Sequence, residues 1–218
     1  MAAQITTDGT TTTLINNGNN YITVDTNDDV TVTNDLAVAG TTALATPLPV
    51  ASGGTGSTTG AIYLQTAVAS TSGATIDFTS IPAGVNRINI MFAEVSTSST
   101  SLPMIQIGDS GGLETTGYKC VGALLAPSSN ANTAHTTGIT IKTDATAATL
   151  MSGTVVANRL TGNEWCFHGA LTAFAPSNYA AMVSGYKSLS AELTTVRLTT
   201  VNGSDTFDAG KVSLSWEF

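Results

Sequence analysis

The chain has 218 residues, of which seven are Lys or Arg and fifteen are Asp or Glu, giving a formal net charge of −8. The basic residues are scattered singly, so there is no basic face to neutralise phosphates, which argues against nucleic-acid binding. No stretch approaches the roughly 20 apolar residues that cross a bilayer, and Met1-Ala2-Ala3-Gln4-Ile5 lacks the positive end and apolar run of a secretory leader. The expectation is a soluble chain made without Sec export, with no membrane insertion.

No Lys, Arg or His precedes Arg87, and the opening segment is crowded with Thr, Asn and Gly. In Tyr21-Ile22-Thr23-Val24-Asp25, and again from Val30 to Gly40 around an Asn34-Asp35 break, apolar residues alternate with Thr as strands do. A short segment with one narrow apolar stripe is a poor monomer. Residues 1–46 are therefore expected to be an attachment and shaft segment of intertwined strands, three copies burying their stripes together; a disordered tail is the alternative. The acidic pairs, Asp28-Asp29 and Asn34-Asp35, are expected to be solvated turns rather than cation ligands.

Residues 47–60 carry two prolines followed by small residues and the run Gly53-Gly54-Thr55-Gly56. A phosphate-cradling loop needs a buried strand before it, a helix after it and, in the P-loop case, a lysine. None of these signals is present, so the stretch reads as a linker. From residue 61 onward, strand-like runs recur at 62–68, 75–78, 85–95, 103–107, 118–125, 138–141, 150–156, 164–174, 181–186, 196–201 and 211–218. With no sustained helical period, the whole chain is expected to be all-β, and residues 61–218 an antiparallel sandwich resembling a jelly roll. Asn202-Gly203 suits a tight hairpin between the final two strands.

Catalytic and metal signatures fail on spacing. Cys120 and Cys166 are not at ligand spacing and are expected to be buried free thiols; a disulfide would require neighbouring strands. His135 and His168 have no ligand near them in sequence. Gly108-Asp109-Ser110-Gly111-Gly112 is the string around the nucleophile of chymotrypsin-like proteases, but that family places its histidine and aspartate before the serine, and both histidines here follow it. It reads as a Gly-rich turn. A glycosidase needs two carboxylates about 5–10 Å apart, and none cluster in sequence. No catalytic residue, metal or cofactor is expected.

Irregular stretches at 96–102, 127–137 and 176–179 are the expected recognition loops. The middle one offers Asn130, Asn132, His135 and Thr136 as short polar groups able to hydrogen-bond sugar hydroxyls. Trp165 and Trp216 are assigned to the core.

Leu48-Pro49-Val50-Ala51-Ser52-Gly53-Gly54-Thr55-Gly56-Ser57-Thr58-Thr59 resembles the LPVxxGGTGxTT connector of tail fibres and related virion appendages of tailed bacteriophages. Val30-Thr31-Val32-Thr33-Asn34-Asp35-Leu36-Ala37-Val38-Ala39-Gly40-Thr41-Thr42 is similar to their shaft repeat, and 78–90 to the opening of C-terminal knobs in marine and cyanobacterial phage fibres. The resemblance implies a homotrimeric virion appendage, and with no catalytic grouping among its residues the chain is expected to be non-enzymatic. Its N-terminus would dock on other virion proteins through Ile5, Leu14 and Ile15, and its knob would meet a host-surface glycan or protein. Most tail fibres carry a longer shaft, so a head fibre or capsid decoration protein stays as the alternative, with a polysaccharide-degrading spike behind it.

Overall fold

Alternating Val, Ile and Thr with frequent turn residues leaves strands as the only regular element, and among the described residues no helix occurs. The structure is a computed structural model that describes residues 4–7, 12–16, 20–24, 30–32, 62–127, 130–142 and 144–218. The chain divides into two units, Met1–Thr46 and Pro47–Phe218.

In the first unit, β1 (Gln4–Thr7), β2 (Thr12–Asn16), β3 (Asn20–Val24) and β4 (Val30–Val32) pair antiparallel in chain order. Ile5 stands opposite Leu14, Leu14 opposite Ile22 and Ile22 opposite Val32, while Thr6, Thr13, Thr23 and Thr31 make the next row. The period of two thus sorts into one apolar and one hydroxyl row. Consecutive antiparallel strands need only short connections, and these four pair within the one chain, with β1 and β4 at the edges of the sheet. The linker at 47–60 and the rest of the shaft repeat lie outside the described residues.

The second unit holds two sheets. The larger has the order β12 (Asn130–His135), β11 (Lys119–Leu125), β16 (Tyr179–Ser188), β15 (Glu164–Phe174), β14 (Leu150–Arg159), β8 (Arg87–Thr97), β18 (Phe207–Glu217), β5 (Ile62–Leu64), with β6 (Val68–Ala69) also on β18. The smaller runs β10 (Gly112–Leu113), β9 (Pro103–Asp109), β17 (Thr195–Thr200), β7 (Ile76–Phe78), with β13 (Ile139–Thr140) also on β9. All recorded pairings are antiparallel. Alternation assigns the core: Ile88, Ile90 and Phe92 of β8 point inward with Val212, Leu214 and Trp216 of β18, against Ile105, Ile107, Val196 and Leu198 of the smaller sheet. This is the antiparallel sandwich expected of residues 61–218, with unequal sheets of nine and five strands among the described residues.

Several finer expectations are corrected. The run at 62–68 is two strands, β5 and β6. The stretch at 127–137 is largely strand β12, an edge hairpin with β11, because paired backbone outweighs the low strand propensity of Asn and Ala. Asn202-Gly203 turns between sheets rather than closing a hairpin: β17 pairs with β9 and β7, whereas β18 pairs with β8. The Asn202 side chain fixes that turn by accepting the Ser204 and Asp205 amides at 3.0 Å each. Cys120 is buried and free as expected, but Cys166 is free and only half-buried. They lie on β11 and β15 with β16 between them, aligned with consecutive residues Gly185 and Tyr186, and so on opposite faces.

Candidate functional site

Two strands of the smaller sheet carry apolar residues inward and polar ones outward, and the outward set forms the floor of a groove. Gln106 of β9 stands opposite Arg197 of β17, and Met104 opposite Thr199. Thr115, Thr116 and Thr137 line the groove from one set of loops, and Val201, Asn202 and Gly203 from the turn after β17. The groove is open to solvent along one side and has a volume of about 490 Å³.

Each floor group is held. Arg197 donates from Nε to Asp77 Oδ1 at 2.6 Å and from Nη2 to Oδ2 at 2.7 Å, a two-toothed clamp across β17 and β7. Those bonds push the arginine's already high pKa further up. Gln106 is buried, and its Nε2 donates to the Thr137 carbonyl at 2.9 Å. Thr199 donates to the Ala74 carbonyl at 3.1 Å. Among the described residues lining the groove there is no carboxylate, imidazole, thiol or amine. The arrangement can bind; it holds no group that would take or give a proton near neutral pH.

The residues expected to face a receptor are elsewhere. Asn130 and Asn132 lie at the sheet edge, opposite Leu125 and Ala123, on the outer face of the larger sheet. His135 stands opposite Cys120 on the inner face, where burial holds its imidazole below its usual pKa and Nε2 has no partner. Thr136 is exposed just beyond the strand, its carbonyl accepting the Tyr118 amide at 3.1 Å. Ile5 and Leu14 are direct partners, whereas Ile15 falls in the alternate row opposite Gln4 and Tyr21. The groove residues went unnoticed in sequence because they are single positions in core-forming strands. The signal was there in the polar alternates of Met104-Ile105-Gln106-Ile107 and Val196-Arg197-Leu198-Thr199.

No protein-family model, curated protein or solved structure matches the chain.

The protease-like string has a structural job. Asp109 accepts the Ser190 hydroxyl at 2.6 Å, the Gly111 amide at 2.8 Å and the Ala191 amide at 2.7 Å, which together hold its carboxyl below its usual pKa. Glu114 accepts the Ser190 amide at 2.6 Å and pairs with the buried Lys187 ammonium, which lies 5.4 Å from the Tyr118 ring. Burial raises the Glu114 pKa, but Lys187 and Ser190 outweigh it and leave it lowered. Depressed carboxylates contribute stability above their unfolded pKa values, near 4, and lose it as pH falls through the folded values. The melting temperature of the full-length chain is therefore expected to be flat from pH 7 to about pH 5 and to fall below about pH 4. Asp109→Asn should flatten that acid limb; an equally steep limb in the variant would exonerate the clamp.

Proposed function

We propose that the chain is a non-enzymatic structural protein of a bacteriophage virion: a homotrimeric short fibre or spike, attached through its N-terminal unit and holding the host surface through its sandwich. The observation that carries the reading is the connector at 48–59, a Pro/Gly-rich stretch between a Thr-rich strand segment and a knob-sized remainder. The groove supports it by offering a binding surface without catalytic groups.

The outer face of the larger sheet supports self-association. The row from Val121 through Ser184 and His168 to Asn89, and the row from Ala123 through Met182 and Ala170 to Met91, contain no Asp, Glu, Lys or Arg. Val121 and Met182 are 50% and 51% exposed, as a surface awaiting a second copy would be. At strand and residue spacings of about 4.8 and 3.4 Å these two rows cover on the order of 300 Å², short of the roughly 800 Å² per partner of a stable interface. The N-terminal unit must supply the remainder.

Mass photometry of the full-length chain should therefore give a trimer, and of a chain beginning at Gly60 a monomer. A monomer in both cases would overturn the trimeric appendage. The short run of shaft-like sequence, residues 30–42, favours a second reading, in which the N-terminal strands clamp a capsid shell as a head fibre or decoration protein; binding of the chain to empty heads rather than to tails would select it.

A further inference from the structure

We propose that the groove on the outer face of the five-stranded sheet is a binding site for an uncharged saccharide. The inference gives the attachment reading a ligand class and rests on it.

Size, lining and charge converge on that class. A volume of about 490 Å³ is that of a small-molecule site. The lining is dominated by threonine, whose side chain offers a hydroxyl and a methyl side by side, joined by Gln106, Arg197, Met104 and Val201. A sugar presents the same mixture, hydroxyls around its rim and C–H groups on its faces. An apolar ligand would cover the remaining N–H groups of Arg197 and the hydroxyls of the exposed Thr115 and Thr116 without pairing them, which costs affinity.

Charge separates neutral from acidic sugars. Among the described residues, Arg197 is the only charged one lining the groove, and both oxygens of Asp77 are bound to it. The pair is locally neutral, so an incoming carboxylate or sulfate meets a cation that already has its counter-ion. Two of the five guanidinium N–H groups are used by Asp77, and three remain to donate to hydroxyls. The clamp also fixes the guanidinium before a ligand arrives, so little side-chain freedom is lost on binding. With no aromatic side chain among the described residues of the lining, each groove holds its sugar weakly, and several copies on one particle would multiply the hold.

The test is saturation-transfer NMR and titration of the full-length chain with neutral oligomers of glucose, galactose, mannose and N-acetylglucosamine, beside sialylated, uronic and sulfated counterparts. At least one neutral oligomer should bind, with affinity nearly unchanged between 50 and 500 mM NaCl, conditions that would screen a charge-driven contact. Thr116→Tyr, an exposed position that fills the groove, should abolish binding without altering the melting temperature. Arg197→Gln should weaken it by about tenfold, the loss of a hydrogen bond from a charged donor. Thr161→Tyr, exposed in the turn between β14 and β15 and away from both the groove and the outer face of the larger sheet, should change nothing. Preference for the acidic sugars, failure of every neutral oligomer to bind, or unchanged binding in Thr116→Tyr would each overturn the proposal. Labelled chain on host cells separates the two levels. Adhesion that persists in Thr116→Tyr sinks the groove and leaves attachment standing. Saccharide binding without any adhesion sinks attachment and leaves the groove.

Discussion

Gly210→Ala is expected to lower the melting temperature of the full-length chain by about 10 °C, the equivalent of roughly 3 kcal/mol in a domain of this size. Gly210 lies within β18 at φ 86°, and a Cβ there would stand 2.4 Å from both the Ala93 and the Glu94 carbonyl oxygens. Those oxygens belong to a bulge in β8. Met151 pairs with Val95 and Gly153 with Phe92, so Ala93 and Glu94 together face Ser152, whose hydroxyl accepts the Glu94 amide at 2.9 Å. The colliding atoms are therefore backbone, pinned from both sides by β14 and β18, and no side-chain rotation relieves the contact. Left-handed backbone with a Cβ costs about 1–2 kcal/mol, and forced overpacking adds about 1–3 kcal/mol. Gly203→Ala is the control: its φ is 70° but a Cβ would meet nothing within 4 Å, so it should lose only about 1 kcal/mol. Calorimetry of the two variants decides the matter. Equal losses would mean that the bulge contact contributes nothing.

That bulge also marks where sequence reasoning reaches and where it stops. The strands β14 and β15 were readable because they keep period two over ten and eleven residues, and β8 and β18 because they keep it over Ile88–Phe92 and Val212–Trp216, with Ile, Val, Phe or Trp on the inner face. Strand β12, Asn130-Ala131-Asn132-Thr133-Ala134-His135, has no such residues on either face, since it is an edge whose partner is β11 alone. Its hydrogen bonds define it, and those depend on a neighbour in space. Asn202-Gly203 was readable as a turn but not as a crossing between sheets, because the tight-turn chemistry is the same in both. The groove is the furthest from the sequence. Gln106 and Arg197 become neighbours only through the register of β9 on β17, and the order of strands within a sheet cannot be read from either strand alone.

The second large loss is expected at Asp144, for an electrostatic reason rather than a steric one. Lys142 is buried, its side chain 2% exposed, with Nζ 3.5 Å from Asp144 Oδ1 and hydrogen-bonded to the Thr146 carbonyl. Burial lowers the lysine pKa despite the pull of Asp144, and the Tyr179 hydroxyl donates to the same carboxylate. Asp144→Ala would leave the ammonium in the interior with one carbonyl, and breaking a buried pair on one side costs about 3 kcal/mol. Lys142→Met alone should cost less, since Asp144 is partly exposed and keeps the tyrosine. The double variant should recover most of the deficit, because two absent charges need no solvation, and the cycle should give a coupling of at least about 1.5 kcal/mol. The pH dependence fixes the sign. A lysine whose folded pKa is depressed binds fewer protons folded than unfolded, so stability rises with pH through that range. The deficit of Asp144→Ala should therefore shrink between pH 7 and pH 10, while that of Lys142→Met should not. A deficit independent of pH would place the damage in loop packing instead, and the charge argument would fall with it.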